Sequence, residues 1–242
     1  MGKQLQIKNV DFSENGFRDP LHFTYPGLVL QALEECFVGY DNIATIDLAQ
    51  YSFDGIHWYD YAPTTEILLA EGEEVAFRLQ RQGEMTMERV YDGDETVLFT
   101  SGLCRCYGRL DLFVPMGPWA YSDLFASANI LNSPQLPEGR LAEGCYSGLF
   151  WNCSQMEAAP VLKAEELAPH CYEYMFSYTG ITELEMWAHG SVYRYVDEYG
   201  DEGSAVAGIL MGFRESGILR IPRDLDFPDY ELPTNWTIEY LY

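Results

Sequence analysis

Leu141-Ala142-Glu143-Gly144-Cys145-Tyr146-Ser147-Gly148-Leu149-Phe150 returns, 26 residues on, as Leu167-Ala168-Pro169-His170-Cys171-Tyr172-Glu173-Tyr174-Met175-Phe176. Pro134-Gln135-Leu136 returns as Pro160-Val161-Leu162 at the same offset of 26. A partial copy, Ala120-Tyr121-Ser122-Asp123-Leu124-Phe125, lies 25 residues before the Tyr146 segment. A fixed period of this length marks stacked repeats, and 26 lies in the range of leucine-rich units. Leu141, Cys145 and Leu149 stand four apart, as do Leu167, Cys171 and Met175. That spacing predicts one face of a short helix, with Tyr146 and Phe150 (Tyr172 and Phe176 in the second copy) as the adjoining stripe. The Pro-x-Leu element predicts the extended leg, because proline cannot continue a helix. Cys145 and Cys171 are then equivalent, small, buried core positions rather than redox or metal groups.

On either side of the repeats the chain reads as β. Asp54-Gly55 sits between two aromatic runs and predicts a hairpin, and Gly72 and Gly93 mark further turns. The resulting expectation is an α+β protein in three parts: an N-terminal antiparallel β-sandwich over 1–118, about two and a half repeat units forming a short solenoid over 119–189, and a C-terminal β cap over 190–242. The cap is expected to hold final strands at 216–221 and 236–241. Such a short stack needs both ends covered.

Composition narrows the function. Among 242 residues, 14 Lys and Arg face 38 Asp and Glu, a net charge of −24. A surface that acidic repels phosphate backbones and anionic lipid, so neither nucleic acid nor a membrane is the expected partner. No run of about 18 apolar residues is present to cross a bilayer. The opening residues lack the pattern of a signal peptide, so synthesis in a cytoplasm is expected. The six cysteines form no Cys-x-x-Cys pair and are too sparse for a disulfide scaffold.

Leu-Ala-x-x-Cys-Tyr-x-x-x-Phe followed by Asn152-Cys153-Ser154-Gln155-Met156-Glu157-Ala158-Ala159-Pro160 resembles the BspA-type leucine-rich repeat of gut Bacteroidetes and their phages. Asn152 stands where that family usually has Gly, and Met156 where it has Leu. Tyr51–Trp58 with Ile67–Arg78 resembles the β module that often precedes such repeats. Ser216–Leu219 with Leu232–Ile238 resembles the usual ending. The opening Ile7-Lys8-Asn9-Val10-Asp11-Phe12-Ser13-Glu14-Asn15 is similar to the start of tail-associated phage proteins. The resemblance implies an adhesin or a virion component, with no catalytic residue in the pattern. A virion protein needs no signal peptide, so a phage tail or fibre component is the favoured expectation and a bacterial surface adhesin its rival.

A carbohydrate-active enzyme is the third reading. His22, His57, His170 and His189 form no metal-binding or catalytic spacing, and no nucleophile elbow or phosphate loop occurs. His170 beside Cys171 points elsewhere on a helix than its neighbour does. The acidic stretches 92–95 and 197–202 lack the calcium-loop pattern. No catalytic residue, metal or cofactor is therefore expected. Binding is assigned to aromatic anchors: Trp58, Tyr59, Tyr61, Trp151, Trp187 and Tyr193, with Tyr195 and Tyr199 beside them. The expected partners are other virion proteins in a homo-oligomer or multiprotein assembly, or a glycan or protein of the host surface.

Overall fold

Alternating burial builds the N-terminal part of the chain from two antiparallel sheets. The computed structural model describes residues 27–41, 49–62, 65–79, 97–110, 116–192, 194–196, 202–212 and 216–241. A five-stranded sheet runs in the order β4 (Tyr59–Asp60), β3 (Ala49–Ser52), β6 (Glu74–Leu79), β1 (Leu28–Ala32), β8 (Cys104–Gly108). A three-stranded sheet runs β5 (Ile67–Leu69), β2 (Cys36–Asp41), β7 (Val97–Thr100). Leu28, Leu30 and Phe77 of the first share one apolar cluster with Val38, Leu69 and Leu98 of the second. Residues 33–35, 70–73 and 101–103 each carry the chain from one sheet to the other.

Strands β7 and β8 would leave open edges, and the first repeat coil covers both. The Leu98 N–H donates to the Leu124 carbonyl at 2.7 Å, Cys104 N–H to Asn129 at 2.8 Å, and Gln135 N–H to Gly108 at 2.9 Å. Pairing an edge in this way removes a row of exposed backbone groups.

The repeats themselves correct the expectation from sequence. Within 119–128 every second N–H closes a turn onto the carbonyl three residues back: Ser122 to Trp119, Leu124 to Tyr121, Ala126 to Asp123 and Ala128 to Phe125. The intervening N–H groups cross to the next coil, Tyr121 to Cys145 at 3.0 Å, Asp123 to Ser147 at 2.9 Å and Phe125 to Leu149 at 3.0 Å. The same alternation joins Tyr146, Gly148 and Phe150 to Cys171, Glu173 and Met175. It then joins Tyr172, Tyr174 and Phe176 to Ala205, Ala207 and Ile209. Every fourth residue is left-handed: Trp119, Asp123 and Ser127, then Gly144, Gly148 and Asn152, then His170, Tyr174 and Tyr178, then Gly208 and Gly212.

An α-helix cannot hold a left-handed residue at each turn. No α-helix occurs among the described residues, so the α+β class is overturned in favour of strands and turns. The helix expected over 141–150 is a ladder of four-residue turns, which presents positions i and i+4 on one face as a helix does. On the opposite leg the coils meet through isolated parallel bridges, Cys104–Ile130, Arg109–Gln135, Asn132–Ala158 and Leu162–Met186. They do not close into the expected solenoid.

The turn ladder continues beyond residue 189. Ala205 occupies the rung above Cys171 but lies 34 residues after it instead of 26. The added length carries an antiparallel pair, β10 (Arg194–Val196) and β11 (Glu202–Ser204). A parallel sheet of β9 (Glu183–Glu185), β12 (Gly217–Pro222) and β13 (Trp236–Leu241), in the order β13-β12-β9, follows on the leg.

Two buried aromatic columns hold the coils in register. Tyr121, Tyr146 and Tyr172 stack at 5.4 and 6.0 Å, and Phe125, Phe150 and Phe176 at 5.5 and 5.7 Å, all within 17° of parallel. Each such pair contributes about 0.5–1.5 kcal/mol beyond the burial of its area. Leu141, Cys145, Leu149, Cys171 and Met175 are buried around the columns, and Leu167 packs half-buried against them.

Gly144 tests this backbone. It is left-handed, and a Cβ there would meet the Trp119 ring at 2.2 Å, whereas one on Gly117 would meet nothing within 4 Å. Gly144→Ala is expected to lose about 2 kcal/mol in urea unfolding, with Gly117→Ala unchanged to about 0.5 kcal/mol. A helix over 141–150 would instead be strengthened by Gly144→Ala.

Candidate functional site

The left-handed positions form the outer edge of the ladder, and aromatic side chains there lie across glycines of the neighbouring coil. A Cβ on Gly208 would meet the Tyr174 ring at 2.4 Å, and one on Gly212 the Tyr178 ring at 2.3 Å. Glycine thus serves both the backbone angle and the bed for the ring. Trp151, Tyr174, Tyr178 and Met211 are each between 41% and 45% exposed along this ridge. Trp151 meets Tyr178 edge-on at 6.3 Å, and the Tyr178 hydroxyl lies 3.6 Å from the Met211 sulfur. Large apolar side chains held side by side in water mark an interaction surface, and Tyr and Trp suit one because they join apolar bodies to polar tips.

The ridge borders a polar cluster. Trp119 lies over Gly144 with its ring centroid 5.3 Å from that of His170, which is in turn 3.7 Å from the Tyr195 ring on β10. His170 Nδ1 pairs with Glu173 Oε2 at 2.7 Å, and the Tyr195 hydroxyl donates to Glu173 Oε1 at 3.0 Å. Glu231 accepts the Gly208 N–H at 2.7 Å. Burial first, and then the charge of Glu173, push the Glu231 carboxyl above its ordinary range. Burial raises the Tyr174 phenol too, helped by Glu173 and Glu231.

A second candidate is a groove of about 630 Å³ beside Trp187, lined by Glu138, Arg140, Lys163, Glu165 and Glu166. The Trp187 Nε1 donates to Glu185 Oε1 at 2.6 Å, which fixes the orientation of a ring that is 49% exposed. Lys163 pairs with Glu138 at 2.6 Å on the rim. An aromatic plane flanked by both donors and acceptors suits a polyhydroxylated ligand.

The aromatics named from sequence are not brought together. Trp151 lies on the ridge and Trp187 in the groove. Trp58 belongs to the loop between β3 and β4, half-buried, its Nε1 donating to Gly55 and its ring 3.9 Å from the Arg78 guanidinium. Tyr59 is exposed and leans on Tyr51 at 5.6 Å. Tyr61 is buried, its hydroxyl donating to the Thr65 carbonyl at 2.6 Å, so it is a core residue rather than an anchor. Tyr193, His22 and the acidic stretches 92–95 and 197–201 lie outside the described residues. Among the described residues no group of three or more His, Cys, Asp or Glu could hold a metal.

Tyr174, Tyr178, Met211, Trp119 and Glu173 escaped the sequence reading, which names His170 and Tyr195 but does not join them. Their signal is the four-residue spacing of Gly144, Gly148 and Asn152, which the second copy fills with His170, Tyr174 and Tyr178. A carboxyl raised by the fold favours folding when protonated, so its contribution is present at low pH and lost as pH rises through the raised value. Glu231→Gln keeps the acceptor for Gly208 and removes the charge. Urea midpoints are expected to favour the variant at pH 7, with the advantage shrinking at pH 4.5.

The chain matches no protein-family model, no curated protein and no solved structure.

Proposed function

We propose that this chain is a non-enzymatic attachment and assembly module of a phage particle, a tail or fibre component that docks through the outer ridge of its turn ladder. The observation that carries the reading is the exposed row of Trp151, Tyr174, Tyr178 and Met211, in which the two tyrosine rings are laid over Gly208 and Gly212 and Trp151 meets Tyr178 edge-on. Rigid aromatic anchors lose little entropy when a partner covers them. The likeness of the repeats to BspA-type proteins, and of residues 7–15 to tail-associated proteins, supports the virion setting. With a net charge of −24, the partner surface is one that carries positive or neutral groups. Another virion protein meets that description. So does a neutral glycan of the host envelope, for which the Trp187 groove offers the matching plane.

Tagged chain is to be incubated separately with purified particles and with host envelope. Retention by virion proteins is expected. Trp151→Ala with Tyr178→Ala should cut it roughly tenfold or more, the loss typical of two anchors. Both side chains are about half exposed, so the variant should stay folded, with the melting temperature lowered by no more than about 8 °C. Retention unchanged in the double variant sinks the ridge as the docking face. Retention by envelope alone makes the chain a receptor-binding module.

A further inference from the structure

Two thiols from opposite sheets meet inside the N-terminal core. Cys36 opens β2 of the three-stranded sheet, and Cys104 opens β8 of the five-stranded one. Their sulfurs are 3.5 Å apart although 68 residues separate them in sequence. Both side chains are buried, at 1% and 0% exposure. The short links that precede them run alongside each other: the Leu33 N–H donates to the Leu103 carbonyl at 2.8 Å, and the Ser101 N–H to Phe37 at 2.9 Å. Glu34 Oε1 accepts the Leu103 N–H at 2.9 Å, closing the pair of links from outside. A modest approach of the two sulfurs would bring them to the bonding distance of about 2.05 Å.

We propose that Cys36 and Cys104 are a modification site, an oxidisable dithiol that a low-molecular-weight disulfide such as oxidised glutathione converts into a cross-sheet disulfide. The Cys36 thiolate attacks one sulfur of the oxidant, forming a mixed disulfide and releasing one glutathione thiolate. Cys104 then loses its proton and attacks the Cys36 sulfur, releasing the second. Two protein thiols are oxidised, one glutathione disulfide is reduced to two thiols, and the two protons end on them. Attack by Cys104 first would give the same product, since the two sulfurs lie side by side at 3.5 Å. The reaction proceeds while the links at 33–35 and 101–103 are open, during folding or by local opening, since the closed core shields both sulfurs.

The bond would tie three parts at one point. Cys104 also donates its N–H to Asn129 and accepts from Leu131, so it is where the five-stranded sheet joins the first coil. The other four cysteines (Cys106, Cys145, Cys153 and Cys171) are buried in the same apolar cluster. This inference is independent of the docking function.

The test refolds the full chain in a buffer of oxidised and reduced glutathione, with a fully reduced sample alongside. Thiol titration in denaturant is expected to fall from six to four, with a mass loss of two hydrogens and a peptide that joins Cys36 to Cys104. The melting temperature should rise by roughly 5 °C or more, as expected for closing a long loop. Cys36→Ser should keep five thiols under oxidation. Six thiols retained by the wild-type chain, only glutathionylated product, or a bond mapped to another pair overturns the proposal. The peptide map of the wild-type chain decides even if Cys36→Ser fails to fold.

Discussion

Everything in the repeat region depends on the left-handed residue at every fourth position. It bends the chain so that alternate N–H groups point along the coil and toward the neighbouring coil. Half of the amides therefore close local turns, and half join coils. Neither set suffices alone: one coil in isolation would leave every second amide without its partner, at a cost of about 1–3 kcal/mol for each buried group. The coils are stable only as a stack. The stack needs a first layer, which the edges of β7 and β8 supply.

The period was legible and the backbone was not. The offset of 26 and the spacing of Leu141, Cys145 and Leu149 identify the buried face, because side chains four apart share a face in either geometry. Hydrophobic spacing cannot separate a helix at 3.6 residues per turn from turns of exactly four over so few residues. Gly144, Gly148 and Asn152 carried the missing information, since glycine and asparagine are the residues that most readily adopt left-handed angles. His170, Tyr174 and Tyr178 at the same positions mask it in the second copy. There tertiary packing outweighs the local preference, with rings laid over Gly208 and Gly212 compensating the backbone strain.

The site was partly legible for a related reason. Trp151 and Trp187 are exposed and could be named from residue type alone. Tyr61 could not be separated from Tyr59, because β4 spans only Tyr59–Asp60 and strand alternation ends before Tyr61 turns inward. The ridge itself unites residues from coils 26 and 34 apart. The second of those offsets is invisible as a repeat, because Ala205, Val206, Ile209 and Leu210 share no residue types with Cys171, Tyr172, Met175 and Phe176. Only the hydrogen bonds from Tyr172, Tyr174 and Phe176 reveal the rung.

The lengthened fourth coil has a wider meaning. The ladder keeps its register across the added residues: Tyr172 still finds Ala205, and Phe176 still finds Ile209. Register there is thus held by the backbone hydrogen bonds of the turn residues, not by the length of chain between rungs. The antiparallel pair of β10 and β11 lies in this added length and places Tyr195 against His170 beside the ridge. Chain length between rungs is therefore free to vary in this architecture so long as the turn residues keep their partners on the next coil.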